Sequence, residues 1–304
     1  MKNKEQHIKK LNSVAALHSL MGLKSPLNPL ITVIDHSIKS NTNQYQNGKL
    51  LFDFYNITLK RSFKGILKYG KNEYDFDDGT MSFIAPNQII SVDSEENRNS
   101  DGWSLLFHPD LIRQYPLGKA IKNYGYFSYE VNEALHLSDE EEKIIEAIVQ
   151  NIQTEISSRL DNFSQDVIVS NLELLLNYCN RFYSRQFITR KMATNDLFSN
   201  FENILNKHFN LDSDLPIPTV EKLANELHVS SSYLSDMLRS LTGQNTQQHI
   251  HEKLIEKAKE VLITTNLTVS EIAYQLGFEY PQSFSKLFKS KTNLTPMEYR
   301  QTFN

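Results

Sequence analysis

The side chains able to do chemistry fall into two groups. Nine histidines and one cysteine could bind metal or attack an electrophile. Metal capture needs imidazole and carboxylate ligands that converge on one ion. His108 stands alone, and His136 lies far along the chain, beyond the stretch that reads as strands. His249 and His251 are two apart in a helical stretch, so their rings point away from each other. Cys179 has no partner for an intrachain disulfide and falls on an apolar stripe, the setting of a buried, inert thiol. No GxSxG, phosphate-loop or dinucleotide fingerprint occurs. The second group differs in kind. Between residues 280 and 291 the chain carries Lys286, Lys289 and Lys291 and no carboxylate. Amines gathered on one acid-free helix suit phosphate oxygens and the acceptor atoms of base edges. The expectation is therefore nucleic-acid contact, with no catalytic residue, no metal and no cofactor.

Those lysines are positioned by an internal repeat. Thr219-Val220 and Ala224 and Leu227 recur as Thr268-Val269, Ala273 and Leu276, with Leu223 exchanged for Ile272. After one extra residue in the second copy, the segment from Leu234 to Ser240 aligns with the segment from Phe284 to Ser290. Each copy reads as a short helix, a tight turn and a second helix. Gly277 falls at a turn, where the lack of a Cβ is useful, and Ser230 or Ser231 can cap the second helix of the first copy. Leu223, Ala224 and Leu227 would lock the first helix against Leu234, Met237 and Leu238, leaving the outer face of the second helix free. Such a face fits a major groove about 12 Å wide. A longer helix over 247–263, with Ile250, Leu254, Ile255, Ala258, Val261 and Leu262 inward, spaces the two copies. Reading heads about 34 Å apart would meet successive major grooves on one face of B-DNA.

Residues 30–110 read as short strands. Aromatic and branched residues fill 50–59, 63–69, 81–85, 89–92 and 103–107, and Asp77-Asp78-Gly79 offers a turn. Strands at this spacing suggest an antiparallel barrel or sandwich. Phe52, Phe54, Tyr55, Phe63, Tyr69, Phe83 and Trp103 could line a small-molecule cavity or simply fill the core. The stretch 102–110 reads as a strand-to-loop corner. After Leu137 the period changes. Ser138 with Glu141 makes a capping box, and Ile144, Ile148, Ile152 and Ile156 follow at intervals of four. A second helix, about 162–185, carries Ile168, Leu172, Leu175, Cys179 and Phe182, the spacing of a packed seam. Two readings stand side by side: a helix pair covering its own barrel, and a dimer seam. Residues 188–195 have no apolar period and read as a linker.

Composition sets the class of chain but misleads on the partner. The 304 residues are 39% hydrophobic and 22% charged, which excludes disordered, collagenous and disulfide-rich classes. The 32 Lys+Arg against 36 Asp+Glu give a net charge of -4, at face value poor for binding phosphates. Residues 196–304 alone hold 10 basic and 13 acidic residues, so placement matters more than the total. The apolar stretch 14–23 is interrupted by His18, Ser19 and Gly22, too broken for a signal-peptide core, and nothing approaches the roughly 18 apolar residues of a membrane span. A cytoplasmic location is expected.

Ser270-Glu271-Ile272-Ala273, Gly277-Phe278, Phe284-Ser285-Lys286-Leu287-Phe288-Lys289 and Thr295-Pro296-Met297-Glu298-Tyr299-Arg300 together resemble the signature of AraC/XylS-type transcription regulators, over residues 198–300. The resemblance implies a seven-helix DNA-binding domain with two helix-turn-helix units. The N-terminal strands and helix pair fit the cupin-like sensing and dimerisation domain common in that family. The implied fold is thus α+β in two domains: a cupin-like antiparallel β-barrel with a helix pair at 1–187, a linker at 188–195, and an all-α DNA-binding domain at 196–304. Two departures stand out. Lys253 replaces the arginine usual on the spacer helix, and Asn293 replaces the glycine usual before the final Thr-Pro step. Carried over, base contacts fall to Ser232, Ser235 and Asp236 in the first unit and to Gln282, Ser285 and Lys286 in the second. Gln282 suits adenine and Lys286 guanine, while Asp236 either accepts from a cytosine amino group or merely caps or screens. Arg239, Lys289 and Lys291 would touch phosphates. The implied partners are double-stranded DNA and a second copy of the chain, with RNA polymerase and a small-molecule effector as further candidates. The competing expectation is a ligand-binding or enzymatic cupin whose helical tail is an interaction module.

Overall fold

The computed structural model describes residues 8–37, 48–61, 66–69, 72–75, 79–92, 101–130, 133–159, 161–189, 191–209 and 217–303. The chain divides into two compact units, Met1–Gln186 and Phe187–Asn304.

The first unit is built from strands β1 (Ile8–Leu11), β2 (Ile31–Asp35), β3 (Gly48–Phe52), β4 (Tyr55–Arg61), β5 (Ile66–Tyr69), β6 (Asn72–Asp75), β7 (Thr80–Ile84), β8 (Ile89–Val92), β9 (Asp101–Phe107) and β10 (Leu135–His136). Helices α1 (Val14–Leu20), α2 (Pro116–Ala120), α3 (Asp139–Ser157) and α4 (Ser164–Thr189) accompany them. The strands form two five-stranded sheets, β1-β3-β8-β5-β6 and β10-β7-β4-β9-β2. Pairing is antiparallel except between β1 and β3. Among the described residues no strand pairing joins one sheet to the other, so of the barrel or sandwich expected from the strand spacing they show two sheets and no closed ring.

Alternation along β4 explains the layering. Ile57 sits opposite Phe83 and Leu105, and Thr58 opposite Ser82 and Ser104. Period two therefore sends Ile57, Leu59, Met81, Phe83, Trp103, Leu105 and Phe107 to one face of the second sheet. The ring of Phe83 there meets Tyr126, Phe127 and Tyr183, so helix α4 covers this face. The opposite face is partly polar. Thr58 Oγ1 and Ser104 Oγ share a hydrogen bond of 2.9 Å, and Ser104 Oγ also meets His36 Nε2 at 2.8 Å. Its apolar end, Ile34, Ile84 and Leu106, joins Leu11, Leu17, Leu50, Phe52 and Phe54 in one buried cluster. Phe52, Phe54, Phe83 and Trp103 are all buried, and Tyr55 stacks on Phe107; Phe63 and the side chain of Tyr69 lie outside the described residues. Gly102 has φ +127, and a Cβ there would lie 2.1 Å from the Leu59 carbonyl oxygen, so only glycine lets β9 approach β4 this closely.

Several sequence expectations need adjustment. The run 50–59 is not one strand. It breaks after Phe52, because Asp53 is tied by its amide to the Leu11 carbonyl and by its carboxylate to Lys10 Nζ at 3.0 Å, and the two halves enter different sheets. Strands also begin earlier than residue 30, at Ile8. Ser138 and Glu141 form the expected capping box on α3. The buried face of that helix, however, is Ile145, Ile148, Val149 and Ile152, and Ile144 is exposed. A strict interval of four gains about 40° per step on a 3.6-residue turn, so it drifts off the core. The α4 stripe Ile168, Leu172, Leu175, Cys179 and Phe182 is buried within the chain, which assigns it to covering its own sheet. Residues 188–195, read as a linker, supply the end of α4 through Thr189 and the start of the next helix from Lys191. Lack of an apolar stripe does not prevent helix, since Lys, Met and Ala all have good propensity.

The second unit is helical: α5 (Lys191–His208), α6 (Val220–Glu226), α7 (Ser231–Thr242), α8 (Thr246–Thr264), α9 (Val269–Gln275), α10 (Pro281–Thr292) and α11 (Pro296–Gln301). The inward residues of α8 are those expected, Ile250, Leu254, Ile255, Ala258, Val261 and Leu262. Its 19 residues span about 28 Å, which makes it a rigid spacer. Ile272, Ala273, Leu276, Phe284 and Phe288 pack against it. Arg300 on α11 fastens this core by donating from Nε to the Leu262 carbonyl at 2.9 Å and from Nη2 to the Leu267 carbonyl at 2.7 Å. These carbonyls lie at and beyond the end of α8, where intrahelical donors run out.

Candidate nucleic-acid interface

The repeat folds twice into the same local structure. In the first copy Val229 N–H donates to the Ala224 carbonyl at 3.0 Å, and in the second Phe278 N–H donates to the Ala273 carbonyl at 2.9 Å. Ala224 and Ala273 are buried, as close helix approach requires. The turn residue is left-handed in both: His228 at φ 57 and Gly277 at φ 75. The second helices also end alike, on left-handed Gly243 in one copy and Asn293 in the other. Asn293 thus adopts the conformation that glycine supplies in the first copy.

The two second helices, α7 and α10, present different chemistry. On α10, Gln282, Lys286 and Lys289 are exposed at intervals of four and three, which places them on one face. Ser283 is exposed beside them. Ser285 is half-buried, and its hydroxyl donates to the Pro281 carbonyl at 3.1 Å. Lys291 is exposed but falls half a turn round the helix from Gln282. Its charge is felt instead by His251 on α8, whose pKa is lowered by burial first and by that lysine second.

On α7 every predicted reader is at least partly covered. Ser232 is half-buried, and Ser235 turns its hydroxyl inward to share a 3.0 Å hydrogen bond with Thr246 Oγ1, a fully buried group. Asp236 Oδ1 accepts from Arg239 Nη1 at 2.7 Å, so the one exposed cation of this helix is already engaged by an acid. Lys253, on α8, pairs with Glu256 at 3.0 Å. The histidines diverge as expected, His249 toward Thr242 Oγ1 at 2.8 Å and His251 toward Gln247 at 2.8 Å. No group of three metal-ligating side chains occurs among the described residues. Sequence reasoning missed the Ser235–Thr246 pair and the Arg300 anchor. Continued past the second helices, the repeat lays buried Ile250 over Arg300, and that exchange of an apolar residue for a cation was the signal for the second.

What the arrangement can do is display a flat strip of amide and amine donors on α10, backed by a rigid helical core. Donors of this kind satisfy guanine and adenine edges and phosphate oxygens.

A family model described as a helix-turn-helix domain matches residues 223–302. An uncharacterised HTH-type transcriptional regulator in the cgkA 5′ region of Pseudoalteromonas carrageenovora is 38% identical over 101 residues, covering 33% of this chain and 56% of that protein. The xylose operon regulatory protein of Escherichia coli K12 is 32% identical over 81 residues, covering 27% of this chain and 21% of that protein. This chain therefore spans about half the length of the first relative and a smaller share of the second. Among solved structures, the C-terminal domain of the two-component response regulator yesN from Fusobacterium nucleatum is 34% identical, with a TM-score of 0.30, covering 34% of this chain and 98% of that chain.

Proposed function

We propose, from the premise that residues 223–302 form an AraC-type helix-turn-helix domain, that this chain is a sequence-specific DNA-binding transcription regulator. The observation that carries the reading is the repeat folded twice, with Gln282, Lys286 and Lys289 on one exposed, acid-free face of α10. It acts by binding DNA. Base reading centres on Gln282 and Lys286, with Ser285 beside them, while Lys289 and Lys291 meet phosphates. In the first helix-turn-helix copy Ser232, Ser235 and Asp236 give a weaker reading, because their side chains are short or already bonded, and Arg239 reaches phosphate only by leaving Asp236.

Residues 1–187 act as a cupin-like sensing and dimerisation domain in which the two sheets close into one barrel, 188–195 as the connector, and 196–304 as the DNA-binding domain. Homodimerisation is supported by the outer side of α4, where Phe163 just before the helix, Val167 and Leu174 are exposed. Two copies would present up to four recognition helices to paired half-sites. A small-molecule effector and RNA polymerase are the further partners of such a regulator, and its place of action is the cytoplasm. No helix of the described residues is long and apolar enough to cross a membrane.

Anisotropy titration against genomic fragments tests the reading. The expected result is binding that is selective among fragments and weakens as salt rises. A chain that holds all fragments alike, or none, sinks the proposal.

A further inference from the structure

The N-cap of α10 breaks a rule that every other helix from α6 to α11 obeys. Thr219, Ser230, Asn245, Thr268 and Thr295 each accept a hydrogen bond from a backbone amide in the first turn of their helix. Tyr280 holds the same place on α10 and makes no such bond. The register that lays Leu234 over Phe284 lays Ser230, a working cap, over Tyr280. The second copy has therefore given up a stabilising group at this position.

In its place stands an aromatic ring in water. Tyr280 is 59% exposed, and among the described residues its ring and hydroxyl meet no partner. Pro281 opens the helix with a fixed φ, so the ring is held at the mouth of α10. Gln282, Lys286 and Lys289 run away from that same end. The first residues of a recognition helix are those nearest the base edges. Local rules broken without a structural gain mark functional positions.

We propose that Tyr280 is a further sequence-reading residue of the second helix-turn-helix copy, its ring packing on the 5-methyl group of a thymine next to the base step met by Gln282. The inference rests on the DNA-binding reading above. An apolar surface is what distinguishes the thymine methyl from the other groups of the major groove, and no other side chain on this face of α10 offers one.

The test uses the full chain and a fragment that the wild type selects. Tyr280→Ser should melt at higher temperature, because the cap is restored, yet bind the fragment about tenfold more weakly with an unchanged salt slope. Tyr280→Phe should stay within roughly twofold of wild type. Replacing the fragment's thymines one at a time by uracil removes only the methyl. One such replacement should weaken the wild type several-fold and leave Tyr280→Ser unaffected. Equal affinity of Tyr280→Ser and wild type, or a wild type indifferent to every uracil, overturns the inference while leaving the regulator intact. A wild type that selects no fragment removes both.

Discussion

Lys286 and Lys289 carry the same charge one turn apart on α10, yet their loss should be felt differently. Lys286 lies nearer the mouth of the helix, so Lys286→Ala should lower the ratio of specific to non-specific affinity at one base step. Lys289→Ala should weaken all sequences alike and reduce the slope of log affinity against log salt by about one. Asp236 makes the opposite case. Its carboxylate holds the Arg239 guanidinium at 2.7 Å. Asp236→Asn should therefore strengthen binding to any DNA and steepen the salt slope, which titration at several salt concentrations will read; an unchanged slope would show that Arg239 never reaches phosphate. Lys286 and Lys289 were legible in the sequence because charge and helical period place them together on an acid-free helix, whereas Gln282 came only with the family resemblance. Ser235 was not, because its inward turn depends on Thr246 across a helix junction, a tertiary pairing that no local pattern encodes.

The two repeat copies form a natural comparison between elements. Both turns demand a left-handed residue, but one copy supplies glycine and the other His228 at φ 57. A side chain with a Cβ is strained there by about 1 kcal/mol. His228→Gly should raise the urea midpoint of the helical unit without changing the m-value, and Gly277→Ala should lower it by a similar amount. If both substitutions left the midpoint unmoved, turn strain would not limit this unit. The helices of the repeat were readable because caps, turn residues and the 3.6-residue period agree at each end. The sheet unit was less so. An unbroken apolar run from 50 to 59 hides the switch between sheets at Asp53, since the tie to Leu11 and Lys10 joins residues some forty positions apart in sequence. Likewise β1 rests on its pairing with β3 and carries no strong signal of its own.

At the scale of the molecule, the two units should answer differently to acid. His36 is held neutral, its pKa lowered to about 4 by burial and by the charge of Lys60. Its ordinary value is 6.5, so between pH 6.5 and 4 the unfolded chain takes up a proton that the fold refuses. Stability from this group is complete above pH 6.5 and is lost as pH falls toward 4. Melting of the sheet unit should fall over that interval, and His36→Gln should flatten the decline; an identical acid limb in the variant would assign the loss elsewhere. The helical character of the C-terminal part could be read from sequence, because its apolar residues keep a 3.6-residue period. Sheet order could not, since strands far apart in the chain become neighbours. One buried atom offers a way to watch the first unit alone. Cys179 is the only cysteine in 304 residues, wholly enclosed on the inner face of α4, with its thiol pushed well above the usual range by burial. An alkylating reagent added to the folded protein can reach this sulfur only during moments when the helix parts from the sheet. The rate of capture is then a built-in clock for the breathing of that unit, with no label to introduce and no other sulfhydryl to confuse it. Small molecules that slow the clock would identify themselves as ligands of the sheet unit before any operator is known.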